Sequence, residues 1–153
     1  MAYQVNPALE GLDLPEYAVA ILTLGHDIDK IIDKYMAKGQ IFETYILDAI
    51  AVKILSRSYE TLVKEVNSYS GKTVYALEFI GNRYPMELTA TILDLLKPKG
   101  VTIGDGYMLR PLKSVCLVLP LKEASTDGDE NVENVCNTCA QCGNLKCIMR
   151  QVQ

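Results

Sequence analysis

The order of apolar and polar positions predicts a buried strand followed by a surface helix near the start of the chain. Residues 17–24 are almost continuously apolar and lie between Pro15 and Gly25, which is the pattern of a strand buried on both faces. From Ile28 onward, apolar residues recur at intervals of three and four, with Asp and Lys between them. This spacing predicts an amphipathic helix, and Gly39 marks its end.

A longer helix is predicted over residues 40–67, because its apolar residues keep helical spacing throughout. Asp48 lies beside them, and a carboxylate that hydrogen-bonds a neighbouring element is a simpler interpretation of it than a catalytic group. The apolar residues trace one broad stripe: Phe42, Tyr45, Ile46, Ala49, Val52, Leu55, Tyr59, Leu62, Val63 and Val66.

The second half of the chain predicts a third strand and a third helix. Residues 73–80 alternate in polarity and are rich in the β-branched and aromatic types that strands favour. Pro85 then stands where the first position of a helix is expected, and Pro98 with Gly100 ends that helix.

Two further strands are predicted, over residues 101–109 and 114–121. The connection between them, residues 110–113, is too short for a helical crossover, so this pair is expected to be antiparallel. The predicted order β-α-α-β-α-β-β indicates the α+β class, or α/β with an antiparallel sheet.

Composition narrows the class of protein. With 153 residues and 17.0 kDa, the chain is long enough for one domain with a hydrophobic core. A net charge of −4 opposes binding to nucleic acid. Residues 1–6 do not resemble a signal peptide, and no apolar run is long enough to span a membrane, so we expect a cytoplasmic protein without a membrane partner. The chain has no nucleophile elbow and no Gly-rich phosphate loop, which argues against a hydrolase or a kinase.

The composition changes abruptly after residue 122. We therefore predict an α+β domain over residues 1–122, a flexible acidic linker over 123–135 and a cysteine-rich tail over 136–153. Four of the five cysteines lie in this tail with the spacing C-x2-C-x2-C-x4-C and with polar neighbours. In a reducing compartment, thiols clustered in this way are typical of metal ligands. The predicted ligands are Cys136, Cys139, Cys142 and Cys147.

The spacing of the tail leaves three interpretations open. A C-x2-C-x2-C run followed by a fourth cysteine is similar to half of a bacterial ferredoxin motif, which favours an iron–sulfur cluster. Four thiolates also suit tetrahedral zinc, although structural zinc sites normally use two pairs of ligands separated by a longer loop. The third interpretation is a redox-active or disordered tail without a bound metal.

Several strings, in this order, resemble one known family. They are Leu-Thr-Leu-Gly at 22–25 with the helix after it, Leu-Asp-Ala-Ile-Ala at 47–51, Tyr-Pro-Met-Glu-Leu at 84–88, Gly-Tyr-Met-Leu-Arg-Pro-Leu-Lys-Ser-Val at 106–115, and the C-x2-C-x4-C ending followed by Arg150. Together they are similar to the activation domain of cobalamin-dependent methionine synthase and to its short stand-alone relatives. The resemblance covers residues 17–121 and the tail.

The resemblance implies a twisted, mainly antiparallel sheet with helices around it. It also implies an accessory part of cobalamin-dependent methyl transfer rather than a complete enzyme. The partner would be a corrinoid (cobalamin-binding) protein whose inert cob(II)alamin is returned to the active cycle, with the cysteine tail as a source of the electron. The alternative is a non-catalytic module that docks to a corrinoid protein, binds no S-adenosylmethionine and holds structural zinc or an iron–sulfur cluster in its tail. A homo-oligomer is compatible with either interpretation.

The chain departs from the family at its ligand loop. Relatives carry Arg-x-x-Pro-Gly-Tyr there, whereas residues 76–81 read Ala-Leu-Glu-Phe-Ile-Gly. Partners for the charged end of S-adenosylmethionine are therefore not evident, and the sequence argues against retained binding of this cofactor. No catalytic residue is assigned. The predicted ligand groove comprises Asp48, Glu78, Arg83, Tyr107 and Lys113.

Overall fold

The computed structural model describes residues 1–81 and 83–124. Seven strands and three helices follow one another in this part of the chain, together with a short 3-10 turn at Asp105–Tyr107. The elements are β1 (Ala2–Val5), β2 (Tyr17–Thr23), α1 (His26–Ala37), α2 (Ile41–Ser70), β3 (Lys72–Val74), β4 (Glu78–Phe79), α3 (Leu88–Leu96), β5 (Thr102–Ile103), β6 (Leu109–Arg110) and β7 (Ser114–Glu123).

An antiparallel sheet forms the centre of the domain. β2 and β7 pair along their length, from Tyr17 opposite Pro120 to Thr23 opposite Ser114. β1 flanks β2, and β3 and β4 both pair with the other side of β7. Every one of these pairings is antiparallel, so the predicted α+β class with an antiparallel sheet is confirmed.

The sheet is covered on both faces, because the side chains of β2 alternate between two clusters. Ala18, Ala20 and Leu22 pack in the cluster that contains four buried residues of α2: Leu55, Leu62, Val63 and Val66. Tyr17, Val19 and Ile21 pack in the cluster that contains Leu88 and Ile92 of α3. The first predicted strand is therefore buried on both faces, as expected.

The strand predicted over residues 73–80 is interrupted between β3 and β4, and Pro120 of β7 explains the interruption. The backbone N–H of Tyr75 donates to the carbonyl oxygen of Pro120, at 3.2 Å. In a strand the N–H and C=O of one residue point to the same side, and the C=O of Pro120 points towards β3 and β4. Because proline has no N–H, β7 lacks a hydrogen-bond donor on that side at Pro120. The ladder resumes only at Glu78, opposite Val118.

The prediction of a long strand over residues 101–109 is wrong. This segment contains β5, the 3-10 turn and the start of β6, and β5 pairs with β6 instead of joining β7. Gly106 and Tyr107 have φ of 66° and 62°, and two successive residues with left-handed backbone end a regular strand. β1 was not predicted, and α3 begins at Leu88 rather than at Pro85.

α2 differs from its prediction in burial rather than in extent. The second half of the stripe is buried as expected, at Leu55, Leu62, Val63 and Val66. The first half is not, since Phe42 is 72% exposed and Tyr45 is 58% exposed. The apolar residues of α2 therefore form two surfaces. The surface in the second half of the helix faces the sheet, and the surface in the first half is exposed. Within the described ranges, no helix combines the length and the apolar character needed to cross a membrane.

Candidate functional site

A cleft of about 230 Å³ opens where the segment after β4 meets the segment that leads into β7. Met86 contributes from the segment before α3, Thr89 from the first turn of α3, and Tyr107 from the 3-10 turn. No lining residue carries a charge, and the polar groups are hydroxyls and one thiol. The complete lining is Phe79, Ile80, Met86, Thr89, Tyr107, Met108, Leu109, Leu112, Ser114, Val115 and Cys116.

Two of the segments that carry the family resemblance therefore meet at one cleft: residues 84–88 supply Met86, and residues 106–115 supply six of its eleven lining residues. Gly81 positions the first of them, since its φ of 90° turns the chain and its N–H donates to the carbonyl oxygen of Tyr84, at 2.9 Å. A side chain at Gly81 would overlap the sulfur of Met86. The glycine thus leaves room for a methionine that lines the cleft.

The carboxylate of Glu78 binds two residues of the loop that follows it. Arg83 Nη1 donates to Glu78 Oε1 at 2.7 Å, and the hydroxyl of Tyr84 donates to Glu78 Oε2. Burial and the hydrogen bond to Glu78 raise the pKa of Tyr84 above its usual value, so the phenol stays protonated. Glu78 and Arg83 thus fix the loop beside the cleft, and neither of them lines it.

Asp48 and Lys113 form a second ion pair, with 2.6 Å between Asp48 Oδ1 and Lys113 Nζ. The pair connects the first half of α2 to the residue before β7. Lys113 is the more buried partner, with 16% of its side chain exposed. Asp48 therefore binds a neighbouring element, as the simpler interpretation predicted, through an ion pair with Lys113.

Of the five residues predicted for the groove, only Tyr107 lines the cleft. The sequence missed Met86, Thr89 and Ser114, which look like ordinary helix and strand residues. Cys116 was expected to be a small buried hydrophobic residue, and it is 6% exposed at the base of a strand that borders the cleft. Burial raises the pKa of the Cys116 thiol from 9.0 to about 12, so it stays neutral near pH 7.

A second cleft, of about 580 Å³, shares Leu112 with the first and is charged. The N–H of Leu112 donates to Asp29 Oδ2 at 2.8 Å, while Asp29 Oδ1 has no hydrogen-bond partner among the described residues. His26 Nε2 lies 2.9 Å from the carbonyl oxygen of Gly100. Lys30, Asp33 and Arg110 complete the lining. These residues were not predicted as a site, because they come from separate parts of the chain.

The uncharged cleft does not fit the whole of S-adenosylmethionine. An amino-acid end with an ammonium and a carboxylate needs charged or strongly polar partners when it leaves water. Around this cleft, Glu78 is already paired with Arg83 and Lys113 with Asp48. The lining suits an apolar or aromatic surface with a few hydroxyl contacts, and we derive no step through S-adenosylmethionine.

The four tail cysteines predicted as ligands, Cys136, Cys139, Cys142 and Cys147, lie outside the described residues. Within residues 1–81 and 83–124, no group of three or more His, Cys, Asp or Glu side chains could hold a metal ion. No protein-family model matches the chain, and a search of curated proteins finds no match.

Proposed function

We propose that this protein is an accessory protein of cobalamin-dependent methyl transfer, which docks to a corrinoid protein and supports its reductive reactivation. The observation that carries the proposal is the uncharged cleft between residues 84–89 and 107–116. Both of its walls include segments through which the chain resembles methionine synthase activation domains. The proposal therefore rests on a surface with its own geometry as well as on short strings of sequence.

The lining of the cleft is suited to an apolar, adaptable contact. Met86 and Met108 have unbranched, polarisable side chains that follow an irregular surface. Tyr107 adds an aromatic ring with a polar end, and it is 37% exposed at the rim. These side chains would exclude water from the edge of a bound corrinoid protein and hold the two proteins in register.

The cysteine tail would supply the reducing equivalent. An iron–sulfur cluster held by its four thiolates passes one electron at a time. One electron converts cob(II)alamin to cob(I)alamin, which then accepts a methyl group from a donor. The described residues contain no other evident redox group, since Cys116 is buried with a raised pKa.

The docking step is tested by isothermal titration of the full chain with the cobalamin-binding domain of a methionine synthase loaded with cob(II)alamin. We expect saturable binding that weakens about tenfold in Tyr107→Ala, because an aromatic anchor at an interface contributes strongly. Tyr69→Ala is the matched control, since Tyr69 is exposed on α2 and does not line the cleft. Absence of binding by the unmodified protein would refute the proposal.

S-adenosylmethionine is tested separately. Because the charged groups around the uncharged cleft are already paired with one another, we expect no saturable binding even at about millimolar ligand, a concentration at which only interactions of less than about 4 kcal/mol go undetected. Binding in the micromolar range would show that the charged end is recognised elsewhere, and would contradict our description of this cleft.

A second candidate function is a docking module that transfers no electron. The paired state of Glu78, Arg83, Asp48 and Lys113 favours it, because these residues then stabilise the fold and are not available for a ligand. In that case the tail would hold zinc. A colourless, anaerobically purified protein with one equivalent of zinc supports this candidate, whereas a brown protein that bleaches with dithionite supports the iron–sulfur cluster.

A further inference from the structure

The first half of α2 carries an apolar surface that no described part of the chain covers. Four of its residues, Phe42, Ile46, Ile50 and Ile54, are spaced four apart and so form one ridge along the helix. Ile41 and Tyr45 form the neighbouring ridge. We call these six residues the α2 stripe, and their exposed fractions run from 40% to 77%.

The second half of the same helix has a different exposed face. Between residues 57 and 65, the exposed positions of α2 are charged or hydroxylated: Arg57, Glu60, Thr61, Lys64 and Glu65. A solvent-facing helix surface is ordinarily polar, as this half is. In α2 the clustered apolar exposure therefore belongs to residues 41–54, and in the second half of the helix Tyr69 is the one large apolar side chain that is exposed.

The size of the α2 stripe is that of a protein interface. A complete large apolar side chain presents about 200 Å², so the stripe exposes on the order of 700 Å². The largest apolar patch on a typical monomer is about 300–600 Å². One partner of a standard stable interface contributes about 800 Å². Ile31 and Met36 of α1 are exposed as well.

The packing of α1 also indicates that this surface is available to a partner. This helix has 12 residues, none of which is buried, and it packs mainly against α2. An isolated helix of that length is marginal in water, so its stability depends on tertiary contacts. The hairpin of α1 and α2 is covered on only one side. Packing of a partner on its other side would therefore stabilise it further.

We propose that two copies of this chain associate through the α2 stripe, with their α2 helices antiparallel. The ridge from Phe42 to Ile54 is self-complementary in this direction, since Ile46 of one copy meets Ile50 of the other and Phe42 meets Ile54. Such a pairing is a closed two-fold interface, in which each copy offers the same surface.

Charge favours the antiparallel direction over the parallel one. Glu43 and Lys53 flank the ridge, and neither forms an ion pair with any residue in the described part of the chain. Antiparallel helices bring Glu43 of one copy to the level of Lys53 of the other, within about one Debye length of 10 Å. Parallel helices would instead bring like charges to the same level.

A corrinoid protein is the other candidate occupant, but the stripe is separate from the cleft assigned to it. None of the six stripe residues lines the uncharged cleft. Dimerisation and docking of the corrinoid protein therefore use different surfaces. Variants of the α2 stripe test dimerisation, and variants of the uncharged cleft test docking.

Sedimentation equilibrium of the full chain, in reducing buffer, tests the proposal. We expect a dimer, and a rise of about 30-fold or more in the dissociation constant of Ile50→Asp, because a charge at the centre of the seam cannot be solvated. Phe42→Asp should act in the same way, and it is safe for folding because Phe42 is largely exposed. Lys64→Asp, on the polar half of α2, should leave the dimer intact.

Two results would overturn the proposal: a monomeric unmodified protein, or dimers of Ile50→Asp and Phe42→Asp as tight as those of Lys64→Asp. Exchange of the flanking charges tests the direction. Glu43→Lys or Lys53→Glu alone should weaken the dimer about two- to fivefold, and the double variant should restore it, since exposed pairs contribute up to about 1 kcal/mol. A double variant weaker than both single variants would exclude the antiparallel arrangement.

Discussion

At the scale of single residues, Gly81 and Glu78 shape the loop beside the uncharged cleft. Gly81 has left-handed backbone and lies against Met86, while Glu78 binds both Arg83 and Tyr84. Neither residue lines the cleft, and both determine where a lining residue lies. Their effect on function should therefore be separable from their effect on stability.

Gly81→Ala should lower the free energy of unfolding by about 1–2 kcal/mol, because alanine is strained at positive φ. Gly11→Ala is the matched control, since Gly11 has a φ of 86° and no neighbouring atom that a side chain would meet. Urea denaturation should give similar losses for both variants, because the flexible Met86 side chain can move aside. Only Gly81→Ala should weaken corrinoid docking, and equal docking by both variants would contradict the role given to Met86.

Cys116 predicts a dependence of stability on alkaline pH. Its thiol has a pKa of about 12 in the folded protein against 9.0 in the unfolded chain. The neutral thiol therefore favours the folded state fully below pH 9, and this contribution is lost as the pH rises from 9 towards 12, by at most about 1.4 kcal/mol per pH unit.

The measurement is the urea midpoint at about pH 8 and about pH 10.5, across the range where the two pKa values differ. Tyr84, whose pKa is also raised, contributes to the fall in stability, so Cys116→Ala isolates the share of the thiol. The variant should lose less stability over this range than the unmodified protein. An identical loss in both would show that the thiol is not shielded from water.

At the scale of elements, α2 presents a buried surface in one half and an exposed apolar surface in the other. Leu62 is fully buried against the sheet, whereas Ile54 is half exposed. Leu62→Ala should therefore destabilise the domain by about 2–5 kcal/mol, because it removes core contacts and leaves a cavity.

The same truncation at Ile54 should cost the monomer less than about 1 kcal/mol, since much of that side chain is already in water. Urea unfolding of both variants in the Phe42→Asp background, which we expect to be monomeric, gives the comparison. Equal losses at the two positions would mean that the first half of α2 is covered within a single chain.

The elements that follow local periodicity were predictable from the sequence. β2 and α2 lie within a few residues of their predicted bounds, because burial on both faces and helical spacing are recorded in neighbouring residues. The break between β3 and β4 was not predictable, because its cause, Pro120, lies on another strand. The segment from 101 to 109 is not one strand because Gly106 and Tyr107 have left-handed backbone, and the φ of Tyr107 is not evident from its residue type.

The candidate site was predictable only in part. Tyr107, which the resemblance places at the ligand groove, is one of the residues that line the cleft. The pairing of Asp48 with Lys113 joins residues that are distant in the chain, so the sequence indicated both residues without indicating that they bind each other. The burial of half of the apolar stripe likewise depends on where the sheet ends, which helical spacing does not encode.

At the scale of the whole molecule, our account gives the chain three separate working parts. We propose that the uncharged cleft docks the corrinoid protein, that the cysteine tail supplies the electron and that the α2 stripe joins two copies. The central claim is that docking and electron delivery together return cob(II)alamin to cob(I)alamin. A test of that claim must give a signal that depends on both the cleft and the cysteine tail, and it must use a methyl donor other than S-adenosylmethionine.

The most direct test uses methyl iodide as the methyl donor, since it reacts with cob(I)alamin to give methylcobalamin and iodide. The full chain, reduced anaerobically by dithionite, is mixed with a cob(II)alamin-loaded methionine synthase domain, and methylcobalamin is followed by its absorbance. We predict rapid formation with the unmodified protein and the slow rate of dithionite alone with Cys139→Ser. Tyr107→Ala should be slow at low protein concentration and should recover as its concentration is raised, because its docking is weakened and not abolished. A rate with the unmodified protein no higher than that of dithionite alone would contradict the account.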